Sequence, residues 1–358
     1  MPLMSSRLVS LRVAPALLVV FGLVACGSPK TASVQGHSHA ARAVPSPSPS
    51  PSPSPSPSPS PSPSPTAAPP PVAAAPPPPP SAAQIFGVDF SPYTVGDGPG
   101  AAVPDSRIQT QLAALRGKTQ WIKIAGVTGG LADVPQIAHG MGFHVAAAAY
   151  VNTDAKFNQA EYDQLLADVR AGYIDLALIG SEAVWDHFMG ANDLAARMNQ
   201  FRSDIRAFSR IPVATVEPDQ AWLDNPVLGT NTDVVVANVT PFSFAVPYGQ
   251  ALGWFQQHYY ALANRYHKPV FVGETEWPSD GGAFCGRTSC AVANAANAAG
   301  YFAAIEHWAR PRGINVFYFE AFDEPWLQQA DSKYGPHWGI FTSAGQMKPG
   351  MDQGFLTP

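Results

Sequence analysis

Charge is what this chain has least of. Only 13% of its 358 residues are Asp, Glu, Lys or Arg, the formal net charge is -5, and no cluster of lysines or arginines occurs. That balance argues against nucleic acid as a partner, because phosphate neutralisation needs a basic face. Long apolar runs are also missing. Val13 to Val24 is the one candidate, and it is too short to cross a bilayer as an ordinary helix. No spacing of the His-Glu-x-x-His kind links His144, His187, His258, His267, His307 and His337, so no metal site is expected. The first strand-like run leads into Gly87-Val88-Asp89-Phe90-Ser91-Pro92 and not into a glycine-rich phosphate loop. Cysteine is limited to Cys26, Cys285 and Cys290.

Proline, by contrast, is abundant, with 38 residues, and its placement divides the chain. Residues 1–26 read as an export leader: Arg7 and Arg12 precede the Val13–Val24 apolar stretch, and Leu23-Val24-Ala25-Cys26 resembles a bacterial lipobox whose cysteine is acylated. The alternative is an ordinary secretory signal with an incidental cysteine. Residues 27–84 alternate Ser and Pro from Pro45 to Pro65 and then run into Pro76 to Pro80, which imposes an extended, disordered backbone with no apolar face. Such a tether suits a stand-off between a lipid anchor and a working domain, and the leader implies an exported protein held at the cell envelope, periplasmic or on the outer face. If Cys26 is acylated, Cys285 and Cys290 remain as a pair that an oxidising compartment favours as a disulfide.

Residues 85–358 hold all 8 tryptophans and are long enough for one large core. Strand-like runs begin near Phe86, Trp121, His144, Asp175, Pro212, Asp233, Pro269 and Asn315. Their mean spacing of about 33 residues is that of one βαβ unit. Between them, Leu194, Met198, Phe201, Ile205 and Phe208 recur at helical steps, and Asn158 with Glu161 reads as a capping pair. The pattern predicts an α/β single (β/α)8 TIM barrel, with a doubly wound open sheet as the alternative.

Two of the eight runs end in glutamate. Ile174 to Ile179 leads into Gly180-Ser181-Glu182, and Lys268 to Val272 leads into Gly273-Glu274-Thr275-Glu276-Trp277-Pro278-Ser279. In a barrel, the C-terminal ends of strands carry the active site. A carboxylate at such a position is costly unless it is paired or chemically used. Two carboxyls are what glycosidic bond cleavage requires, about 5–5.5 Å apart if configuration is retained, with the acid titrating high. Trp185, Trp222, Trp277 and Trp326 follow strands 4, 5, 7 and 8, as a group of sugar-stacking surfaces would, although any single one of them reads more readily as a packing residue.

Glu274-Thr275-Glu276-Trp277-Pro278-Ser279 resembles the nucleophile motif of glycoside hydrolase family 17, the β-1,3-glucanases and β-1,3-glucanosyltransferases. Gly180-Ser181-Glu182, Phe319 to Trp326 and His337-Trp338-Gly339-Ile340-Phe341 are similar to further segments of that family. The resemblance runs from Phe86 to Pro349. It implies a (β/α)8 barrel, retention of configuration, a β-glucan substrate, no metal or other cofactor, Glu182 as acid/base and Glu274 as nucleophile. Ser181, Glu217, Asn238, Trp277, Glu324 and Trp326 become candidate substrate-binding residues, with Glu217 also read as network-forming and Glu324 as a supporting partner. Ser181 stands where the family has asparagine, Thr240, Phe90 and Ala125 where it has tyrosines, Leu327 where it has lysine, and Glu276 where it has glycine. These departures leave open a catalytically impaired glucan-binding protein as the alternative to an active enzyme.

Overall fold

The computed structural model describes residues 84–330 and 333–356; the expected leader, Cys26 and the Ser/Pro-rich tract up to residue 83 lie outside the described residues. The strands are β1 (Ile85–Asp89), β2 (Thr119–Ile124), β3 (His144–Ala149), β4 (Leu176–Ser181), β5 (Val213–Pro218), β6 (Val235–Asn238), β7 (Val270–Thr275), β8 (Gly282–Cys285), β9 (Cys290–Ala293) and β10 (Asn315–Tyr318). All but β8 and β9 form a closed parallel barrel in the order β1-β10-β7-β6-β5-β4-β3-β2. Closure through the β1–β10 pairing Gly87↔Phe317 rules out the open sheet. Each expected strand start falls within two residues of an observed one.

The barrel is filled by alternate residues of its strands. Phe86, Trp121 and Phe317 form an aromatic wedge on one side, packed against Ala146, Ala148, Leu176, Leu178, Ala214, Val216 and Val236. Phe86 stacks on Trp121 at 5.4 Å between centroids and meets Phe317 edge-on at 5.3 Å. Large rings opposite alanines fill the barrel interior. The outer layer is made by helices α1 (Asp105–Leu115), α2 (Val134–Gly140), α3 (Ala155–Ala171), α4 (Ala191–Ile205), α5 (Asp219–Asp224), α6 (Pro226–Thr230), α7 (Tyr248–Tyr266) and α8 (Ala295–Ala309). On α4, Leu194, Met198, Phe201 and Ile205 are buried at steps of four and three, as expected. Phe208 falls beyond the helix end and is 40% exposed.

Asn158 and Glu161 do not cap α3. The N-cap is Asp154, whose carboxylate accepts the N–H groups of Lys156 and Phe157. Glu161 lies two turns in and points inward: it accepts the N–H groups of Val127 at 2.9 Å, Thr128 at 3.1 Å and Tyr150 at 3.0 Å, and the Thr128 hydroxyl. It therefore ties the segments after β2 and β3 together at the C-terminal rim.

After β7 the chain forms a β8–β9 hairpin in which Cys285 and Cys290 are cross-strand partners joined by a disulfide. The sequence suggests the bond but not the hairpin. Phe284 stacks on Phe242 at 5.8 Å, the Tyr334 hydroxyl donates to the Ala283 carbonyl at 2.6 Å, and Trp277 Nε1 donates to the Val292 carbonyl at 3.0 Å. The hairpin is thus braced against the barrel beside the strand-7 glutamate.

Candidate active site

Strand alternation and two local irregularities assemble the site. Lys123 and Asn238 lie two residues beyond the inward-facing Trp121 and Val236, so their side chains continue into the mouth of the barrel. Between Val272 and Thr275, β7 carries one residue more than β10, and it likewise outruns β6 between Ala237 and Asn238. This is a β-bulge, a device that re-aims side chains next to active sites. It falls at Gly273, where a Cβ would stand 2.6 Å from Val216 Cγ2 and 2.7 Å from Asn238 Oδ1. A similar slip occurs in β4 between Leu178 and Ser181, around Gly180 at φ 80°. Glu182 itself takes φ 54°, a left-handed conformation that a non-glycine residue keeps only when its surroundings over-determine it. Its N–H donates to the Val216 carbonyl at 2.8 Å.

Glu182 Oε1 accepts Asn238 Nδ2 at 2.6 Å. Glu274 Oε1 accepts Lys123 Nζ at 2.9 Å, and the same ammonium lies 3.2 Å from Asp89 Oδ2. Glu182, Asn238, Lys123 and Asp89 are all buried. Burial, and then the neighbouring Glu274 carboxylate, hold the Glu182 carboxyl well above its usual range. Burial alone would push Lys123 down, but Asp89 and Glu274 outweigh it and keep the ammonium charged. One carboxyl of the pair therefore keeps its proton while the other faces a fixed cation, the division of labour an acid and a nucleophile require. Among the described residues no group of 3 or more His, Cys, Asp or Glu is arranged to hold a metal ion.

The remaining expected residues divide between support and site. Glu217 is fully buried and accepts the N–H groups of Val184 at 2.9 Å and Trp185 at 3.1 Å, so it pins the loop that follows Glu182. That is its network role and not a substrate contact. Trp277 is also fully buried, edge-on to Phe242 at 5.3 Å, and offers no face to a sugar; the same holds for Trp222. The expectation of stacking surfaces there fails because the rings turn outward into the layer between barrel and helices. Trp185, 39% exposed, and the half-buried Trp326 keep accessible faces. Glu324 accepts Trp326 Nε1 at 3.0 Å and the Ser91 hydroxyl, which makes it the support of that ring. Ser181 is buried as the last residue of β4. Glu276 accepts the Ser243 hydroxyl at 2.7 Å, toward the segment after β6.

Lys123 and Asp89 were not singled out from the sequence. A charged residue on the inward parity of an apolar strand, near its C-terminal end, was the available signal, in Trp121-Ile122-Lys123-Ile124 and in Gly87-Val88-Asp89.

The buried carboxyls make stability depend on pH. Burial raises Glu217 from 4.5 to about 7 and Glu306, despite Arg310, from 4.5 to about 8. A group whose folded pKa is raised binds more protons folded than unfolded between the two values, so its contribution is full below 4.5 and is lost as pH rises through about 7 to 8. The melting temperature is expected to be highest at mildly acidic pH and to fall by roughly 5 °C or more by pH 8. A melting temperature that climbs over that interval contradicts this burial.

A closed (β/α)8 barrel with a proton-holding glutamate after β4 and an ion-paired glutamate after β7 is the arrangement that glycosidic bond cleavage requires. The chain belongs to the BtgE/BtgC glycoside hydrolase domain family, whose profile matches residues 87–339. Among similar proteins, the probable glucan endo-1,3-beta-glucosidase btgC of Aspergillus flavus is 30% identical over 197 residues, covering 49% of this chain and 28% of that protein. The glucan 1,3-beta-glucosidase of Saccharomyces cerevisiae is 26% identical over 304 residues, covering 77% of this chain and 95% of its own. The chain thus spans less than a third of the Aspergillus relative. In fold it is similar to the glycoside hydrolase family 17 beta-1,3-glucanosyltransferase of Rhizomucor miehei, with a TM-score of 0.66 at 20% identity over 76% of this chain and 98% of that one.

Proposed function

We propose that this protein cleaves or transfers β-glucan, of the β-1,3-linked class, by a double displacement with retention of configuration. The observation that carries the reading is the asymmetry of the pair: Glu182 buried and held protonated, Glu274 ion-paired with Lys123. In the first step Glu274 attacks the anomeric carbon, the glycosidic C–O bond breaks, and Glu182 gives its proton to the departing oxygen. In the second step Glu182, now a carboxylate, takes the proton of an incoming water or sugar hydroxyl, whose oxygen displaces Glu274 and regenerates both groups. Asn238 fixes the Glu182 carboxyl through its 2.6 Å hydrogen bond. Trp185 and Trp326 supply the accessible ring faces for the glucan. The names of the relatives, glucan endo-1,3-beta-glucosidase and beta-1,3-glucanosyltransferase, support the linkage. Incubation with β-1,3-gluco-oligosaccharides, read by mass and by anomeric NMR, is expected to give shortened or elongated products whose first-formed anomer is β. First-formed α anomers, or no turnover of any β-glucan, defeats the proposal.

The protein is further proposed to be exported and held at the envelope by acylation of Cys26. The pattern Leu23-Val24-Ala25-Cys26 supports this, as does the Cys285–Cys290 disulfide, which suits an oxidising compartment. Cys26→Ser is expected to move the protein from the membrane to the soluble fraction. Equal membrane association of variant and parent removes the anchor from the proposal.

A further inference from the structure

Asp89 takes no part in the double displacement, yet it occupies one of the most expensive positions in the barrel. It is buried, its Oδ1 has no hydrogen-bonding partner among the described residues, and its Oδ2 meets only the Lys123 ammonium, at 3.2 Å. Asp89 and Lys123 are register partners on β1 and β2, so the fold holds them side by side. Lys123 in turn reaches across to Glu274 Oε1 at 2.9 Å. A structural ion pair would be satisfied by one carboxylate with its remaining oxygen hydrogen-bonded. Here one cation stands between two carboxylates, and one of those is left under-partnered.

We propose that Asp89 is a positioning residue for Glu274: the two carboxylates share the Lys123 ammonium, and Asp89 governs how much of that charge, and in what place, faces Glu274. This rests on the reading of Glu274 as the nucleophile. With Asp89 ionised, the ammonium is drawn toward β1 and its attraction for Glu274 is divided. With Asp89 neutral, Lys123 faces Glu274 alone. The groups facing Asp89 are Lys123 on β2, Glu274 and Glu276 at the end of β7, and Glu320 after β10. Every one except Lys123 is acidic. Burial first, and then these carboxylates, push Asp89 well above its usual range against the pull of Lys123. An undivided Lys123 charge favours an ionised carboxylate and its departure in the second half-reaction, while a divided one makes it the stronger nucleophile in the first. Asp89 sets the compromise.

Coupling of this kind is reciprocal and can be read from the Asp89 side without any turnover. In the full chain labelled at aspartate 13Cγ, the Asp89 resonance is the one lost in Asp89→Asn. Its titration midpoint is expected to fall in Glu274→Gln, where Lys123 has one charged partner and one repulsion is gone. An Asp89 midpoint that Glu274→Gln leaves in place overturns the proposal. In kinetics, Asp89→Asn is expected to move the acid limb of kcat/KM on β-1,3-gluco-oligosaccharides to lower pH by about one unit, since that limb reports the base of the free enzyme. Lys123→Met alone strands a buried carboxylate and risks misfolding, so Asp89→Asn combined with Lys123→Met removes both charges together. That pair is expected to move the limb the opposite way and to lower kcat at least tenfold with a smaller change in KM, while Lys123→Arg keeps the limb near its parental place. Parental acid limbs in both Asp89→Asn and the double variant also overturn it. If the parent turns over no β-glucan, the proposed function fails, and the titration still decides the sharing of Lys123.

Discussion

Glu274→Gln is expected to abolish turnover, lowering kcat by several orders of magnitude with the fold intact. The amide keeps the shape of the side chain and can still accept the Lys123 ammonium that the carboxylate accepts at 2.9 Å, but it cannot form the glycosyl ester. Glu276→Gly is the informative contrast. From the sequence, two glutamates separated by one residue at a strand end are both eligible nucleophiles. In the structure Glu274 reaches across the barrel to β2, while Glu276 bonds to Ser243 at 2.7 Å beside the segment after β6. Glu276→Gly should therefore retain substantial activity. An activated 2-fluoro sugar that traps the glycosyl-enzyme should label the peptide containing Trp277, with the added mass on residue 274. Mass on residue 276, or parental activity in Glu274→Gln, reverses the assignment.

The second large effect concerns the acid. Glu182→Ala is expected to lower kcat by two to four orders of magnitude on unactivated glucan, the range typical of general acid–base catalysis. On an aryl glucoside whose leaving group needs no proton, the first step should be nearly spared, so that the glycosyl-enzyme accumulates and turnover becomes limited by its breakdown. Added azide, which needs no general base, should then restore turnover and yield a β-glycosyl azide. An equal loss on activated and unactivated substrates, with no response to azide, shows that Glu182 is not the acid/base. Asn238→Ala should give a milder loss, because it removes the 2.6 Å hydrogen bond that orients the Glu182 carboxyl and leaves the proton in place.

How much of this was legible in the sequence follows from which physical signal each feature leaves. The barrel leaves a strong one. Eight apolar runs at βαβ spacing bury themselves as a parallel sheet under helices, closed or doubly wound, and α4 shows its buried stripe from Leu194 to Ile205 residue by residue. The two glutamates are legible because a carboxylate at the end of an apolar strand is conspicuous. Which tryptophans of the group face the cleft is not legible, because position after a strand says nothing about which way a ring turns; a hydrogen bond holds Trp277 Nε1 to the Val292 carbonyl and Trp222 Nε1 to the Val236 carbonyl. Asn158 and Glu161 look like a cap because the capping pattern is local, whereas the donors that Glu161 serves come from Val127, Thr128 and Tyr150, far from α3 in the chain. Lys123 and Asp89 are short-range only in space: β2, β1 and β7 must be brought together before one ammonium can be seen to serve two carboxylates.

The bulge at Gly273 changes what counts as a mutation of this site. In a regular strand the inward Phe271 would be followed by inward residues 273 and 275, and residue 274 would face the helices. The extra residue of β7 reverses that parity just before the glutamate. Any change that straightened β7 with Gly273 still in place would leave every reacting group in the chain and turn the Glu274 carboxylate toward the helices. The capacity for chemistry is therefore stored partly as strand phase, which Gly273 protects, since a side chain there would crowd Val216 and Asn238. A regular (β/α)8 scaffold would face the cleft only with its glutamate directly after the outward residue 272, one position earlier than here.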